Sequence, residues 1–174
     1  MKTQAMDKAT RVEPDNVYPF ATQLTGPQYP STSQFEVVRT DDGTAMGIKS
    51  RVSFDGRLCI AKVSGYAVGE RRRHTLQLSS RTHLYDPWFT GPLAHSCNPN
   101  VYVDMAYLEL WSILPLLPDT PLTRDYASTE EVLVTQFACQ CGELNCRGWI
   151  TGGEEPLNAD GLAFMAQWRD RKRP

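Results

Sequence analysis

Three cysteines lie within eight residues of one another near the end of the chain, at Cys139, Cys141 and Cys146. Zn²⁺ takes four tetrahedral ligands in structural sites, and thiolates are among the commonest of them. Two other cysteines could supply the fourth ligand. Cys97 is the better candidate because its segment is polar and rich in turn-forming residues, whereas Cys59 lies in an apolar segment typical of a buried strand. The spacing therefore predicts a zinc site made by Cys97 and the three clustered cysteines.

A simpler alternative is that these cysteines are merely buried, since free cysteine is among the most buried residue types. Burial alone explains Cys139 and Cys141 poorly, because the notable feature is two cysteines with a single residue between them, and we take such a pair to point to opposite faces of a strand. Four thiolate ligands would leave the metal no open position for water. We therefore expect a structural zinc ion and not a Lewis acid.

The composition fits one globular domain with tails, because the chain has 174 residues of which 41% are hydrophobic. The formal net charge of −2 gives no general attraction for nucleic acid or for an anionic membrane, so neither is expected as a partner. The first residues lack a signal-like apolar segment, and no apolar run reaches the ~18 residues that a membrane helix needs. Cysteines that suit a metal better than disulfides add to the expectation of an intracellular protein, in the cytoplasm or nucleus.

Short apolar runs broken by Gly and Asp predict a mainly β protein with short helices, built as a sandwich or barrel of short strands. Alternation with period two places Leu76 and Leu78 on one face of their strand. The predicted strands span residues 35–39, 46–52, 57–63, 74–79, 101–103 and 107–111.

One helix is predicted near the end of the chain, over residues 159–169, with Leu162, Met165 and Trp168 on one face. Asn158 or Asp160 could cap it. At the other end of the chain, residues 1–34 combine several prolines with little apolar periodicity, which predicts an extended or disordered arm. Order there would require Tyr18, Phe20 and Tyr29 to pack on the domain or on a second subunit.

Three motifs occur in a fixed order: His-Ser-Cys-Asn-Pro-Asn at 95–100, Leu-Thr-Arg-Asp-Tyr at 122–126, and the cysteine motif at 139–148. Together they resemble a SET domain followed by its post-SET zinc loop, over roughly residues 35–152. The resemblance implies a fold of small curved sheets with a pseudoknot-like crossing, S-adenosylmethionine as methyl donor, and a lysine or other amine as acceptor. We divide the chain accordingly into an arm (1–34), a SET-like domain (35–135), a post-SET zinc loop (136–152), and a C-terminal helix with a basic tail (153–174).

The resemblance also implies roles for individual residues. Tyr126 would lie beside the methyl-transfer channel, where its hydroxyl orients the nucleophile or helps to deprotonate it; the alternative is an ordinary tyrosine of the β core. His95 would close the cofactor pocket and carry the crossing, or serve only as a turn histidine. Met46, Gly47 and Ala94, with His95, occupy the positions that correspond to the cofactor site.

Two of the cofactor positions depart from the family pattern. Family members usually have Asn directly before His-Ser-Cys, where its amide contacts the amino-acid end of the cofactor, but this chain has Ala94. The early Gly-x-Gly of the family corresponds to residues 45–47, so its first glycine is replaced by Ala45. We therefore expect S-adenosylmethionine to bind more weakly than in an intact site.

Arg124 is the third departure, since the family has an aromatic residue here that lines the lysine channel. A guanidinium stays charged, so it would repel an incoming lysine and could instead bind a carboxylate or an enolate. Alternatively, it turns outward to pair with Asp125 or Glu130. We count Arg124 with Tyr126 and His95 as the candidate catalytic residues.

Three functions remain open. The first is methyl transfer from S-adenosylmethionine to a protein lysine or a small amine, which the resemblance favours. The second is a repurposed enzyme of the same fold, of cyclase or isomerase type, in which Arg124, Tyr126 and His95 polarise a carbonyl of a small molecule. The third is a non-catalytic binding module that keeps the zinc-stapled shape, since fold alone does not fix function.

Overall fold

The computed structural model describes residues 15–20 and 28–171, and within them the chain forms small β-sheets and one α-helix. This confirms the prediction of a mainly β fold with a C-terminal helix. The strands are β1 Phe35–Arg39, β2 Ala45–Ser50, β3 Cys59–Lys62, β4 Tyr66–Val68, β5 Thr75–Ser79, β6 Thr82–Tyr85, β7 Ala94–His95, β8 Val101–Asp104, β9 Glu109–Ser112, β10 Thr123–Arg124, β11 Phe137–Ala138 and β12 Trp149–Ile150, and the helix is α1 Ala159–Arg171.

Antiparallel pairing joins most of these strands into short sheets. β1 and β2 form a hairpin whose turn contains Gly43 at a φ of 83°, a backbone conformation that favours glycine. Two three-stranded sheets follow, in the orders β3-β9-β8 and β4-β6-β5, and β11 pairs with β12. β7 and β10 pair in parallel, although 27 residues lie between His95 and Thr123. This pair is where two distant segments of the chain meet.

Two hydrophobic clusters hold the sheets together. The main core contains large side chains that are almost fully removed from water, and each contributes on the order of 1.5–3 kcal/mol. Its members include Phe35, Ile48, Leu76, Phe89, Val101, Leu110 and Leu122. A smaller cluster of Leu133, Cys139 and Ile150 joins the cysteine motif to this framework.

Residues 15–20 of the predicted arm are packed against the domain. Tyr18 is 1% exposed, its ring stacks on Phe20, and its hydroxyl donates to Asp86 Oδ2 at 3.1 Å. The same hydroxyl accepts a hydrogen bond from the backbone N–H of Ser64 at 2.9 Å. Phe20 and Tyr29 also pack against the main core. The three aromatic side chains therefore meet the condition stated above for an ordered segment, while residues 1–14 and 21–27 lie outside the described residues.

The predicted strand face containing Leu76 and Leu78 was wrong in one respect. Leu76 is fully buried, whereas Leu78 is 38% exposed. The pairing of β5 with β6 shifts register between Gln77 and Ser79. A shift of this kind places the residues beyond it on a different face, which the sequence alternation does not reveal.

Helix α1 begins where the sequence predicted, and Asn158 is its N-terminal cap: its Oδ1 accepts the backbone N–H of Gly161 at 2.8 Å. The predicted apolar face was wrong at Leu162, which is 60% exposed. Trp168, also predicted on that face, does pack against the protein, and its ring stacks on that of Phe164 with the ring centres 5.7 Å apart. None of the described helical segments is both long and apolar enough to cross a lipid bilayer.

Candidate active site and metal centre

The parallel pair β7-β10 brings two of the three sequence motifs into contact. Ala94 pairs with Thr123 and His95 with Arg124, and the backbone N–H of Ser96 donates to the Arg124 carbonyl at 3.0 Å. The side chain of Asn100 then fastens the crossing, because its amide bonds the Thr123 N–H at 2.9 Å and the Pro121 carbonyl at 2.8 Å. The His-Ser-Cys segment is thereby held beside the Leu-Thr-Arg-Asp-Tyr segment.

The structure brings together the four cysteines predicted as metal ligands, and Cys59 lies elsewhere on β3. The Sγ atoms of the four all lie within 4.8 Å of one another, and those of Cys97 and Cys139 are 3.8 Å apart. In an ideal tetrahedral site with Zn–S bonds of about 2.3 Å, two sulfurs are about 3.8 Å apart. The donor set and its spacing therefore fit a zinc site.

The cysteine loop has its own local framework. β11 and β12 pair at its base, and the backbone N–H of Cys139 donates to the Gly148 carbonyl at 2.8 Å. Gly142 takes a φ of 74°, which lets the chain turn directly after Cys141. On the far side, the Arg147 N–H donates to Cys97 Sγ at 3.3 Å. This hydrogen bond connects the cysteine loop to Cys97, which belongs to the segment 95–100.

Helix α1 packs on the back of this loop. A side chain at Gly148 would collide with Trp168 at 2.9 Å, and one at Gly161 would collide with Trp149 at 2.6 Å. Gln136 connects the two elements, since its Oε1 accepts from Trp149 Nε1 and from the Asn158 N–H, each at 3.0 Å. These close contacts fix the helix against the strands that carry the cysteines.

A cavity of about 680 Å³ lies between the crossing, the end of β2 and the cysteine loop. Cys139 and Cys141 belong to its wall as well as to the metal cluster. Gly47, predicted at the cofactor site, is not among the lining residues. The other predicted catalytic and cofactor-binding residues all line it: Met46, Ala94, His95, Arg124 and Tyr126.

Tyr126 begins one turn of 3₁₀ helix, Tyr126–Ser128, which Asp125 caps by accepting the Ala127 N–H. Its hydroxyl donates to the Leu93 carbonyl at 2.9 Å. Burial raises the pKa of Tyr126 above its ordinary value of 10, so the phenol is neutral near pH 7. Because the proton is given to Leu93, the oxygen can still accept a hydrogen bond from a ligand.

His95 connects Tyr126 to the cysteine cluster. Its Nδ1 accepts the Tyr126 N–H at 3.3 Å, and its Nε2 lies 3.5 Å from Cys97 Sγ. Burial lowers the pKa of His95 to about 4, so the ring is neutral near pH 7. With Nδ1 as acceptor, Nε2 must carry the proton and donate it to the sulfur. His95 is therefore a positioning residue between the cavity and the metal centre.

Arg124 points inward and is 4% exposed. Its Nη1 donates to Thr129 Oγ1, and its Cζ lies 4.4 Å from the ring centre of Tyr126. It forms no ion pair with Asp125 or Glu130 within 4.0 Å, and Asp125 pairs with Arg147 at 2.5 Å. Of the two orientations considered from sequence, the structure has the inward one.

Glu130 is a cavity residue that the sequence analysis named only as a possible partner of Arg124. It is 6% exposed and accepts from the Gln77 N–H at 3.3 Å and from Thr129 Oγ1 at 3.2 Å. Burial raises the pKa of Glu130 to about 7, although the charge of Arg124 acts in the opposite direction. No local sequence signal distinguishes it from its exposed neighbour Glu131.

One curated protein and several solved structures are similar to this chain. No family model matches the chain. "Methyltransferase flvH" of Aspergillus flavus is 40% identical over 63 residues, which is 35% of this chain and 35% of flvH. The crystal structure of KRYPTONITE, a SET-domain methyltransferase, in complex with mCHG DNA and SAH aligns with a TM-score of 0.51 at 21% identity, over 66% of this chain and 28% of that chain. The chain has the SET-domain fold.

A second KRYPTONITE structure, in complex with mCHH DNA, H3(1-15) peptide and SAH, aligns with a TM-score of 0.49 at 22% identity, over 66% of this chain and 29% of that chain. The SET-fold chain thus spans about a third of each of these proteins. The expectation that nucleic acid is no partner finds no support here, because the KRYPTONITE structures contain DNA. It stays a prediction.

Two departures from the SET pattern can now be located. Ala94 is exposed on β7 and lines the cavity, so the position that the resemblance assigns to a cofactor-binding amide presents only a methyl group. Ala45 is 5% exposed and also lines the cavity. Met46 lies beside it and is 56% exposed. The cavity wall of this SET domain therefore differs from the expected pattern, while the cysteine set is complete.

Proposed function

We propose that this chain is an S-adenosylmethionine-dependent methyltransferase whose acceptor is an amine. The observation that carries the proposal is the cavity at the β7-β10 crossing, which gathers Tyr126, Arg124 and Glu130 on one wall. Two findings support it: the fold, and a curated relative named as a methyltransferase. The KRYPTONITE structure that aligns with a TM-score of 0.51 also contains SAH.

The cofactor would be held by Met46, Ala94 and His95, which line the cavity, and by Gly47, which lies beside Met46 on β2 outside the lining. S-adenosylmethionine would supply an electrophilic methyl group on sulfur, which the amine nitrogen displaces as the neutral thioether leaves. In such a reaction the protein contributes mainly alignment and exclusion of water. Cys97, Cys139, Cys141 and Cys146 would hold a structural zinc ion that keeps the wall of the cavity in place.

Two side chains would prepare the acceptor. An ammonium group must lose a proton before its nitrogen has a lone pair to form the new C–N bond, and Glu130 would accept that proton. A carboxyl group with a pKa near 7 suits this exchange near neutral pH. Tyr126 stays neutral and would accept a remaining N–H of the amine, which aims the lone pair. Because burial raises its pKa, almost no phenolate is present near pH 7 to take up a proton.

Titration with SAH by calorimetry tests the proposal directly. We expect saturable binding to one site, weakened roughly tenfold to hundredfold by the hydrogen bond that Ala94 cannot make. Ala94→Trp should abolish binding by filling the cavity. Ala67→Trp is the matched control, because Ala67 is exposed on β4 and is not a lining residue. Absence of SAH binding to the wild-type protein at millimolar concentration would contradict methyl transfer.

A second candidate is a repurposed enzyme of the same fold that does not transfer methyl groups. It is favoured by the buried guanidinium of Arg124 beside Tyr126, since such a donor can polarise a carbonyl. The SAH titration separates the two, because this enzyme needs no methyl donor. A non-catalytic binding module would likewise fail to turn over radiolabelled S-adenosylmethionine with any amine.

A further inference from the structure

Arg124 leaves part of its hydrogen-bonding capacity unused inside the protein. Its buried Nε finds no acceptor among the described residues, although Nη1 is bound to Thr129. A guanidinium stays charged in proteins even where burial lowers its pKa. A buried charged donor without a partner is strongly destabilising, so such groups are normally paired. Arg124 is among the residues that line the cavity, so a ligand bound there would lie next to its guanidinium.

The charges around the cavity favour an anion. Its lining includes three arginines, Arg72, Arg73 and Arg124, but a single carboxylate, Glu130. His74 also lines the cavity and carries no charge near pH 7, because burial lowers its pKa. Glu130 is not within ion-pair distance of Arg124 and shares only the Thr129 hydroxyl with it.

We infer that Arg124 binds a carboxylate of the acceptor, so that the acceptor is a small amine that itself carries a carboxylate. The inference rests on the proposed methyl transfer only in that it calls this molecule the acceptor. The anion site itself is argued from Arg124 alone. A carboxylate matches the planar donor fork of a guanidinium. Arg124 lies against the ring of Tyr126, so an anion held there would leave the amine of the same molecule within the cavity. A lysine side chain in a peptide has no such group and would leave Arg124 unpaired.

The cofactor is a second source of the same chemistry, because S-adenosylmethionine also has a carboxylate. The two sources predict different results when Arg124 is changed. If Arg124 serves the acceptor, its loss weakens carboxylate-bearing amines and leaves SAH unchanged. If Arg124 serves the cofactor, its loss weakens SAH itself.

The test uses matched pairs of probes that differ only in the carboxylate: 6-aminohexanoate against hexylamine, and 4-aminobutyrate against butylamine. Their binding is measured by calorimetry on the full chain with its metal, with and without saturating SAH. We expect the amino acids to bind the wild-type protein roughly tenfold to hundredfold more tightly than the matched amines. Arg124→Met should remove this preference and leave the affinity for SAH unchanged. Arg81→Met, which removes an exposed charge outside the cavity lining, should change the preference less than ~3-fold.

Equal binding of the matched probes to the wild-type protein would overturn the inference. So would a preference that survives in Arg124→Met, or a parallel loss of SAH affinity in that variant. If SAH fails to bind the wild-type protein while the amino acids keep their preference, the methyl-transfer proposal falls and the carboxylate site stands. Should Arg124→Met not fold, the wild-type comparison still decides, together with the ¹⁵N-labelled arginine Nε–H signals. One of these should shift with 6-aminohexanoate and not with hexylamine; no shift would contradict the site.

Discussion

The cysteine cluster and the wall formed by Arg124, Tyr126 and Glu130 border the same cavity. They differ in how far their polar and charged groups find partners within the protein. In the cluster, four sulfurs face one another, and backbone groups and the His95 ring are directed at Cys97. In the wall, Arg124 Nε has no acceptor within the described part of the chain, and burial raises the pKa of Glu130. The cluster needs one cation to be satisfied, whereas the wall needs a ligand with its own charges. We infer that the cluster stabilises the fold and that the wall determines which ligand binds.

The largest effect should come from breaking the cluster. Cys139→Ser should abolish zinc binding and lower the melting temperature by more than ~10 °C, because a structural zinc site contributes many kcal/mol and each kcal/mol is worth about 2–4 °C in a chain of this size. Zinc content is measured by elemental analysis and stability by thermal melting. Cys59→Ser is the matched control, since Cys59 lies on β3 away from the cluster. Unchanged zinc content in Cys139→Ser would refute the metal centre.

Tyr126→Phe should have the next largest effect, on turnover. Removing the hydroxyl takes away the group proposed to aim the amine, and misplacing a reactant can cost about a hundredfold in rate. Turnover is measured with radiolabelled S-adenosylmethionine and the preferred amine at saturation. Tyr102→Phe is the matched control, because Tyr102 is 45% exposed on β8 and does not line the cavity. A variant as active as the wild type would show that Tyr126 is only a core residue.

Glu130→Gln should change the pH dependence of stability. Folding raises the pKa of Glu130 from its ordinary 4.5 to about 7, so the folded protein favours the protonated form. The contribution of protonated Glu130 to the free energy of unfolding is fully present below about pH 4.5 and is lost as pH rises through about 7. Relative to the wild type, Glu130→Gln should therefore gain about 2 kcal/mol in free energy of unfolding between about pH 5 and pH 8.

Denaturant unfolding at the two pH values measures this difference. Glu131→Gln is the matched control, because it makes the same chemical change at the adjacent position, where the side chain is exposed. If the stability of Glu130→Gln relative to the wild type depends on pH in the same way as that of Glu131→Gln, burial does not disfavour the ionised form of Glu130. Its assignment as the proton acceptor would then lose its physical basis.

The cluster could be predicted from the sequence. For the wall, Tyr126 and Arg124 were named from the sequence, but the orientation of Arg124 and the burial of Glu130 could not be predicted, and the reason is physical. Three of the four sulfurs are close in the chain, so residue type and spacing already restrict their chemistry. The orientation of Arg124 depends on the 3₁₀ turn at Tyr126–Ser128 and on Thr129, neither of which has a sequence signature for it. Glu130 is buried by contacts with Gln77, which is 53 residues away in the chain.

The strands show the same limit at a smaller scale. The hairpin β1-β2 and the strands β8 and β9 lie close to their predicted positions, because local apolar runs and turn residues specify them. The two-residue strands β7 and β10 were not predicted, since a parallel pair so short has no period of its own. On α1, Trp168 was correctly assigned to the buried face, but Leu162 was assigned there wrongly and Phe164, which contacts Trp149, was missed.

The smallest expected effect concerns the cofactor side of the cavity, where the family pattern can be restored. Ala94→Asn returns the amide that the resemblance assigns to this position, and one hydrogen bond to a charged group is worth about 1.5 kcal/mol or more, which is roughly tenfold in affinity. Ala94 is exposed, so the larger side chain can be accommodated on β7. We therefore expect SAH to bind about tenfold more tightly to this variant, as measured by calorimetry. Ala67→Asn, on exposed β4, should leave SAH affinity unchanged. A variant at Ala94 with unchanged affinity would mean that the cofactor's amino-acid end does not reach β7, and that the wall with Arg124 deserves to be tested as its alternative anchor.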